Sequence, residues 1–73
     1  MSHNHGMADT VTQQLWLSVP DRIAVMHVNL GDLCNEYNLH SISHGRGHIL
    51  LTGRYFRVER AKARLLARLR GAG

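Results

Sequence analysis

The sequence predicts a small two-layer α+β domain, in which a three-stranded sheet carries helices on one face and the elements follow the order β-α-α-β-β-α. Three observations predict it. A stretch near the N-terminus alternates with a period of two, a short alternating stretch and a short apolar run flank a glycine-rich turn, and the last quarter of the chain repeats with a helical period. The 73 residues, 44% of them apolar, suffice for one domain with a small core and leave little room for a substrate pocket of the usual size.

The first strand is predicted over Val11–Val19, because every second residue from Leu15 to Val19 is aliphatic. Trp16 falls on the opposite face. There it is either covered by packing, which we expect, or exposed and able to stack a base or anchor a partner. The preceding residues, 1–10, are polar and without periodicity, which predicts a disordered tail or an expression-vector remnant.

The stretch after Pro20 fits two templates. Residues 22–28 alternate and contain β-branched types, so a hairpin through Pro20 is one reading. The helical template fits better over the longer window, because apolar residues recur at spacings of three and four: Ile23, Met26, His27, Leu30, Leu33, Cys34 and Tyr37. Gly31 is expected to separate two short helices, with Asp32 capping the second.

A β-hairpin is predicted next. Asn38 suits a left-handed residue that closes the second helix. The strands are expected at Leu39–His44 and His48–Thr52, around the turn Gly45-Arg46-Gly47. Gly53 is expected to end the second of them.

A basic amphipathic helix is predicted from Tyr55 to Arg70, so that the domain spans residues 11–70 and residues 71–73 form a frayed end. Its apolar face comprises Val58, Ala61, Leu65 and Leu69. A second face is cationic and comprises Arg57, Arg60, Arg64 and Arg68. The cationic face either contacts phosphates or acidic partners, or is a solvated surface.

Charge is unevenly distributed along the chain. The first 37 residues hold one arginine and four carboxylates, and the remaining 36 hold eight cations and one glutamate, within a formal net charge of +4. This asymmetry indicates a nucleic-acid or acidic-partner surface, or acidic and basic halves that face one another within a monomer or between copies. The single cysteine excludes an internal disulfide, and no apolar run approaches the roughly 18 residues of a membrane span. We expect a cytoplasmic or nuclear protein that contacts no membrane.

The second half resembles the KH fold of the eukaryotic type. In KH domains a strand leads to a glycine and then to a helix with the pattern V-x-x-A-x-x-x-[IL], which is matched here by Leu50, Leu51, Gly53, Val58, Ala61 and Leu65. The family's central G-x-x-G loop is followed by G-x-x-I-x-x-I, and here Gly31, Cys34 and Tyr37 match the final glycine and the two apolar positions. The resemblance covers roughly Leu15 to Leu69.

The chain departs from the family at that loop, which reads Val28, Asn29, Leu30, Gly31 and so lacks the first glycine and the basic middle residues. In KH domains the loop brings backbone amides to the phosphates of about four nucleotides. The chain is therefore similar to the degenerate KH-like modules of deltex-type ubiquitin ligases and long poly(ADP-ribose) polymerases. That resemblance implies a non-catalytic protein-interaction or self-association module within a larger protein, with a protein partner or a homo-oligomer and no cofactor.

The alternative is a module that binds single-stranded RNA or DNA through the arginine face and the turn residue Arg46. No sequence motif indicates an enzymatic activity. Cys34 with His27 and Asp32 would resemble a nucleophile constellation, but Cys34 lies on an apolar face, where a free cysteine packs as a small hydrophobe.

Two histidine patterns resemble metal-ligand spacings. His3 and His5 form a pair in the tail, with no cysteine or carboxylate cluster beside them. His40, His44 and His48 recur every four residues, but the intervening glycines exclude a stable helix that would align them. No metal is therefore expected.

Overall fold

The computed structural model describes residues 10–71 and confirms the α+β class and the β-α-α-β-β-α order. The strands are β1 (Thr10–Trp16), β2 (Ser41–Gly45) and β3 (His48–Arg54). The helices are α1 (Val19–Ala24), α2 (Leu30–Glu36) and α3 (Tyr55–Gly71). β3 is the central strand and pairs antiparallel with both neighbours, in the order β1-β3-β2. No helix within residues 10–71 is both long and apolar enough to cross a membrane.

The core lies between β3 and α3. Ile49 and Leu51 of β3 are fully buried, while Leu50 lies on the other face of the sheet, as the alternation predicts. The predicted apolar face of α3 is confirmed, because its four residues are buried: Val58, Ala61, Leu65 and Leu69. Each of the larger aliphatic side chains contributes about 1.5–3 kcal/mol through burial, so this interface accounts for much of the stability.

The first strand is shorter at its C-terminal end than predicted. β1 ends at Trp16, and Ser18 begins a helix instead of continuing the strand to Val19. The Ser18 hydroxyl accepts a hydrogen bond from the Asp21 backbone N–H at 3.3 Å, and the Asp21 carboxylate accepts one from the Ser18 N–H at 3.4 Å. This capping box satisfies two amides at the start of α1 and fixes its first residue. At the other end, Thr10 belongs to the strand and not to the predicted tail.

The helical reading of the next stretch is correct, and its predicted buried face is confirmed from Leu30 to Tyr37 but wrong from Ile23 to His27. α1 ends at Ala24 and tightens into a 3-10 turn over Val25–His27. Val25 is the residue that enters the core, whereas Ile23 and Met26 are exposed. A 3-10 turn has about three residues per turn instead of 3.6, so the face that a regular helix would bury rotates towards solvent.

The break between α1 and α2 lies before Gly31, not at it. The Asn29 side-chain oxygen accepts a hydrogen bond from the Asp32 N–H at 3.0 Å, so Asn29 caps α2 and Asp32 does not. Gly31 is the second residue of the helix. At the far end, Asn38 has a φ of 55°, which confirms the predicted left-handed closure.

β3 continues through Gly53, where the sequence predicted its end. Gly53 pairs with Val11 and is buried. An added Cβ at this position would lie 3.2 Å from Leu39 Cδ2 and 3.3 Å from Leu39 Cα. The glycine therefore serves a close approach of two backbone segments, and the strand is not interrupted.

The hairpin joins β2 and β3 through Arg46 and Gly47, and Gly47 adopts a φ of 72°. Its carbonyl accepts a hydrogen bond from the Leu17 N–H at 2.9 Å, which ties the turn to the end of β1. β2 begins at Ser41 instead of at the predicted Leu39. α3 extends to Gly71, one residue into the predicted frayed end. Most of the predicted tail, residues 1–9, and residues 72–73 lie outside the described residues.

Candidate functional site

The predicted arginine face of α3 is divided by the structure. Arg57, in the second half-turn of the helix, is half-buried. Its Nη1 donates a hydrogen bond of 3.5 Å to the Asn38 carbonyl, and its guanidinium lies 5.5 Å from the centre of the Phe56 ring. Arg57 therefore helps to hold the end of α2 against α3 and is the least accessible member of the predicted site.

Arg64 and Arg68 lie one turn apart at the far end of α3 and line a cleft of about 380 Å³. The opposite wall is the segment between α1 and α2, including Val28 of the degenerate loop. The lining residues are His27, Val28, Arg64, Ala67, Arg68 and Gly71. The structure thus brings together two groups of residues that the sequence analysis had treated separately. Arg60 does not line this cleft.

Residues of the degenerate loop also make hydrogen bonds and apolar contacts within the domain. The Val28 N–H donates to the Val25 carbonyl at 3.0 Å, and the Leu33 N–H donates to the Asn29 carbonyl at 3.1 Å. Val28 and Leu30 are half-buried against the core. These contacts engage the Val28 amide and the Asn29 carbonyl within the domain.

Arg46 lies in the β-hairpin turn and is exposed, and it does not join the cleft beside α3. Its carbonyl is 3.2 Å from His48 Nδ1. The Arg22 guanidinium lies over the neighbouring Gly47, since a Cβ there would be 3.0 Å from Arg22 Nη2. Arg22 and the turn thus form a separate cationic region, which the sequence analysis did not single out.

An exposed apolar row was missed by the sequence analysis. Val19, Ile23 and Met26 have exposures of 66%, 61% and 78% and follow one another at spacings of four and three residues. We call these three residues the α1 row. The sequence analysis had placed Ile23 and Met26 on a buried face. The capping signature that begins at Ser18 marks the start of α1 and was the available signal for its register.

The sheet face opposite the helices is uncovered by any described residue, and Trp16 is 68% exposed on it, contrary to the packing we expected. The indole contacts the His48 ring edge to face, with centroids 5.4 Å apart. Gly45 lies on the other side of His48, where an added Cβ would clash with the imidazole. An aromatic pair therefore lies at one end of the open face, in a position where it can stack a planar group.

Lys62, which lies off the arginine face, links α3 to the sheet. Its Nζ donates to Gln13 Oε1 at 2.6 Å and forms an ion pair with Glu59 at 3.2 Å. Hydrogen bonds from the Gln13 side chain and from Lys62 hold the pKa of Glu59 below its usual value. Within the part of the chain that is described, no ion pair connects Asp32 or Glu36 of α2 with the arginines of α3.

Within residues 10–71, His44 and His48 of the predicted row lie on different sides of the sheet, and Cys34 has a structural contact. His44 pairs with Ile49, so it lies on the helix-facing side of the sheet, while His48 lies on the open side. Residues 10–71 contain no group of three potential metal ligands, and His3 and His5 lie outside that range. Cys34 donates from Sγ to the Leu39 carbonyl at 3.4 Å, which is a structural contact at the end of α2.

The chain matches no protein-family model, and it has no significant match among curated proteins or solved structures.

Proposed function

We propose that this chain is a non-catalytic interaction module of KH-like type and that it associates with a second copy of itself. The observation that carries the proposal is the α1 row. Val19 and Ile23 of α1 and Met26 of the 3-10 turn that follows it remain mostly exposed, and several exposed large apolar side chains close together are typical of a docking surface. The β-α-α-β-β-α order supports the KH-like part, because the resemblance requires that order.

Charge complementarity favours a second copy as the partner. Asp32 and Glu36 are exposed on α2, and Arg60, Arg64 and Arg68 are exposed on α3. Since these two sets form no ion pairs with each other inside one chain, two copies can satisfy both at once. Exposed ion pairs contribute only about 0–1 kcal/mol each, so the α1 row would supply most of the affinity and the charges mainly the orientation and the association rate.

Light scattering coupled to size-exclusion chromatography tests the proposal, over a wide concentration range and at low and high salt. We expect concentration-dependent dimers that weaken in high salt without disappearing, because apolar burial is not screened. The double variant Ile23→Ser/Met26→Ser should be monomeric. The exposed part of each side chain contributes about 1–2 kcal/mol on burial, and a two-fold interface counts each substitution twice.

Tyr55→Ser is the matched control, because Tyr55 is also an exposed large side chain, at 53%, but lies on α3. It should leave the dimer intact. A wild-type chain that stays monomeric at every concentration would contradict self-association. A Trp16→Ser variant that dissociates the dimer while the α1-row variant does not would place the interface on the open sheet face instead.

Single-stranded nucleic acid is the second candidate ligand, favoured by three exposed arginines of the predicted cationic face that have no hydrogen bond or ion pair within residues 10–71: Arg60, Arg64 and Arg68. Fluorescence anisotropy with a mixed-sequence single strand at two salt concentrations is the measurement. We expect affinity to fall steeply with salt if the arginines contact phosphates. The Arg60→Glu/Arg64→Glu variant should lose binding, and an affinity equal to that of wild type would exclude this face.

A further inference from the structure

The cleft between α3 and the segment after α1 has the composition of an anion site. Arg64 and Arg68 are four residues apart on one face of α3, so their like charges repel across one helical turn. Neither guanidinium has a hydrogen bond or an ion pair with any of residues 10–71, and no carboxylate lines the cleft. His27 adds a polar group that can donate a hydrogen bond from the opposite wall.

The dipole of α3 does not cancel the preference of the cleft for an anion. Gly71, the last described residue of α3, lies at the cleft, and the free carbonyls at a helix C-terminus carry roughly half of a negative charge. Two guanidiniums carry two full positive charges in the same region. The local field therefore favours an anion, and the cations lose mutual repulsion when one binds.

Arg60, Arg64 and Arg68 form a short row along α3, but only Arg64 and Arg68 lie together at the cleft. Arg57 is engaged by Asn38 and Phe56, Arg60 lies outside the cleft, and Arg46 lies in the hairpin turn. A strand of nucleic acid is bound by cations spaced along a groove, whereas two adjacent guanidiniums suit a single group that carries two charges and three acceptor oxygens.

We propose that this cleft binds a phosphate monoester, carried by a phosphorylated side chain of a partner protein. Arg64 and Arg68 would hold the phosphate oxygens, and His27 would donate one further hydrogen bond. Val28 and Ala67 supply an apolar surface beside them for the aliphatic stem of the phosphorylated residue. The site uses none of the residues of the α1 row, but it shares Arg64 and Arg68 with the charge contacts proposed between two copies, so a bound phosphate would compete with those contacts.

Nuclear magnetic resonance titration of the full chain tests the site, with sodium phosphate compared with sodium chloride at equal ionic strength. Phosphate should selectively shift the amide signals of His27, Val28 and the last turn of α3. A phosphoserine peptide should bind at least about tenfold more tightly than the same peptide without its phosphate, because hydrogen bonds to charged groups are the strong ones. Free phosphate that shifts those signals while the phosphopeptide binds no better than its unmodified form would overturn the assignment to a protein side chain.

The decisive variant is Arg64→Gln/Arg68→Gln, and its matched control is Arg60→Gln/Arg70→Gln. Both remove two charges from exposed positions of the same helix, and glutamine has a helix propensity close to that of arginine. Only the first should lose phosphopeptide binding, by about tenfold or more. An equal loss in both would indicate non-specific attraction and overturn the site. An oligonucleotide without a terminal phosphate that binds as tightly as the phosphopeptide, and depends on Arg64 and Arg68, would overturn the monoester assignment.

Discussion

Replacing Gly53 with alanine should destabilise the domain, even though alanine is ordinarily the better residue inside a strand. The new Cβ would lie 3.2 Å from Leu39 Cδ2, 3.3 Å from Leu39 Cα and 3.4 Å from His40 N. These distances require the neighbouring backbone to move by a few tenths of an ångström. The effect on stability therefore depends on whether Leu39 can move away from the new Cβ.

Leu39 is held in place by three hydrogen bonds. Its N–H donates to the Cys34 carbonyl at 3.0 Å, its carbonyl accepts from Cys34 Sγ at 3.4 Å, and the following His40 N–H donates to the Thr52 carbonyl at 2.8 Å. Its side chain is 8% exposed, within the core. Any movement of Leu39 therefore strains the end of α2 or the start of β2.

The two opposing terms can be compared. Overpacking of this kind costs about 1–3 kcal/mol, whereas the lower entropy of the unfolded alanine chain returns about 0.4–1 kcal/mol. The net loss is about 1–2 kcal/mol, which corresponds to a decrease in Tm of roughly 5–15 °C for a domain of this size. Differential scanning calorimetry would measure it directly, and urea denaturation gives the same difference at room temperature.

Gly71→Ala is the matched control, because an added Cβ there meets no atom within 4 Å. Its Tm should be unchanged or slightly raised. A Gly53→Ala protein as stable as wild type would refute the argument that Leu39 is fixed, and a more stable one would mean that Gly53 has no packing role at all.

Three further substitutions test other parts of the fold. Ser18→Ala removes the capping box of α1 and should cost about 1 kcal/mol in urea denaturation, and a Ser18→Asp variant should recover most of it. Leu65→Ala empties a fully buried site between α3 and the sheet and should cost about 2–5 kcal/mol, enough to leave much of the protein unfolded at 37 °C by circular dichroism. The folded-state pKa of Glu59 is lowered, so the Glu59 carboxylate contributes to stability above its unfolded pKa, near 4.5, and this contribution is lost as the pH falls through the folded-state pKa. Glu59→Gln should therefore flatten the pH dependence of the unfolding free energy in that range. An unchanged pH dependence would contradict this prediction.

β3 and α3 could be predicted from the sequence because each has a strong period and a single face to bury. The alternation around Ile49 and Leu51 and the helical spacing from Val58 to Leu69 predict that these two apolar faces are buried against each other, and that arrangement is observed. The predicted end of β3 at Gly53 rested only on the low strand propensity of glycine. Its actual role depends on Leu39, which is distant in sequence and becomes a neighbour only when β2 pairs with β3.

The register of α1 could not be predicted from hydrophobic spacing. Six regular helical residues followed by a 3-10 turn do not keep the period of 3.6 that the spacing argument assumes. Val25, and not Ile23 or Met26, is therefore buried. The division of the arginine face could not be predicted either, since it depends on the hydrogen bond of Arg57 to Asn38 and on the cleft that Arg64 lines together with His27.

The way in which the loop from Val28 to Gly31 departs from the KH pattern bears on what this end of the domain can recognise. Three amides in and beside the loop already donate to intramolecular acceptors: those of Val28, Asp32 and Leu33. An anion held by these three amides would have to displace those bonds, at a cost that a solvent-exposed phosphate contact does not return. Side chains can provide recognition there without that cost, and Arg64 and Arg68 are the cations that line the adjacent cleft. A Val28→Gly variant should therefore have the anion affinity of wild type, because it removes neither guanidinium.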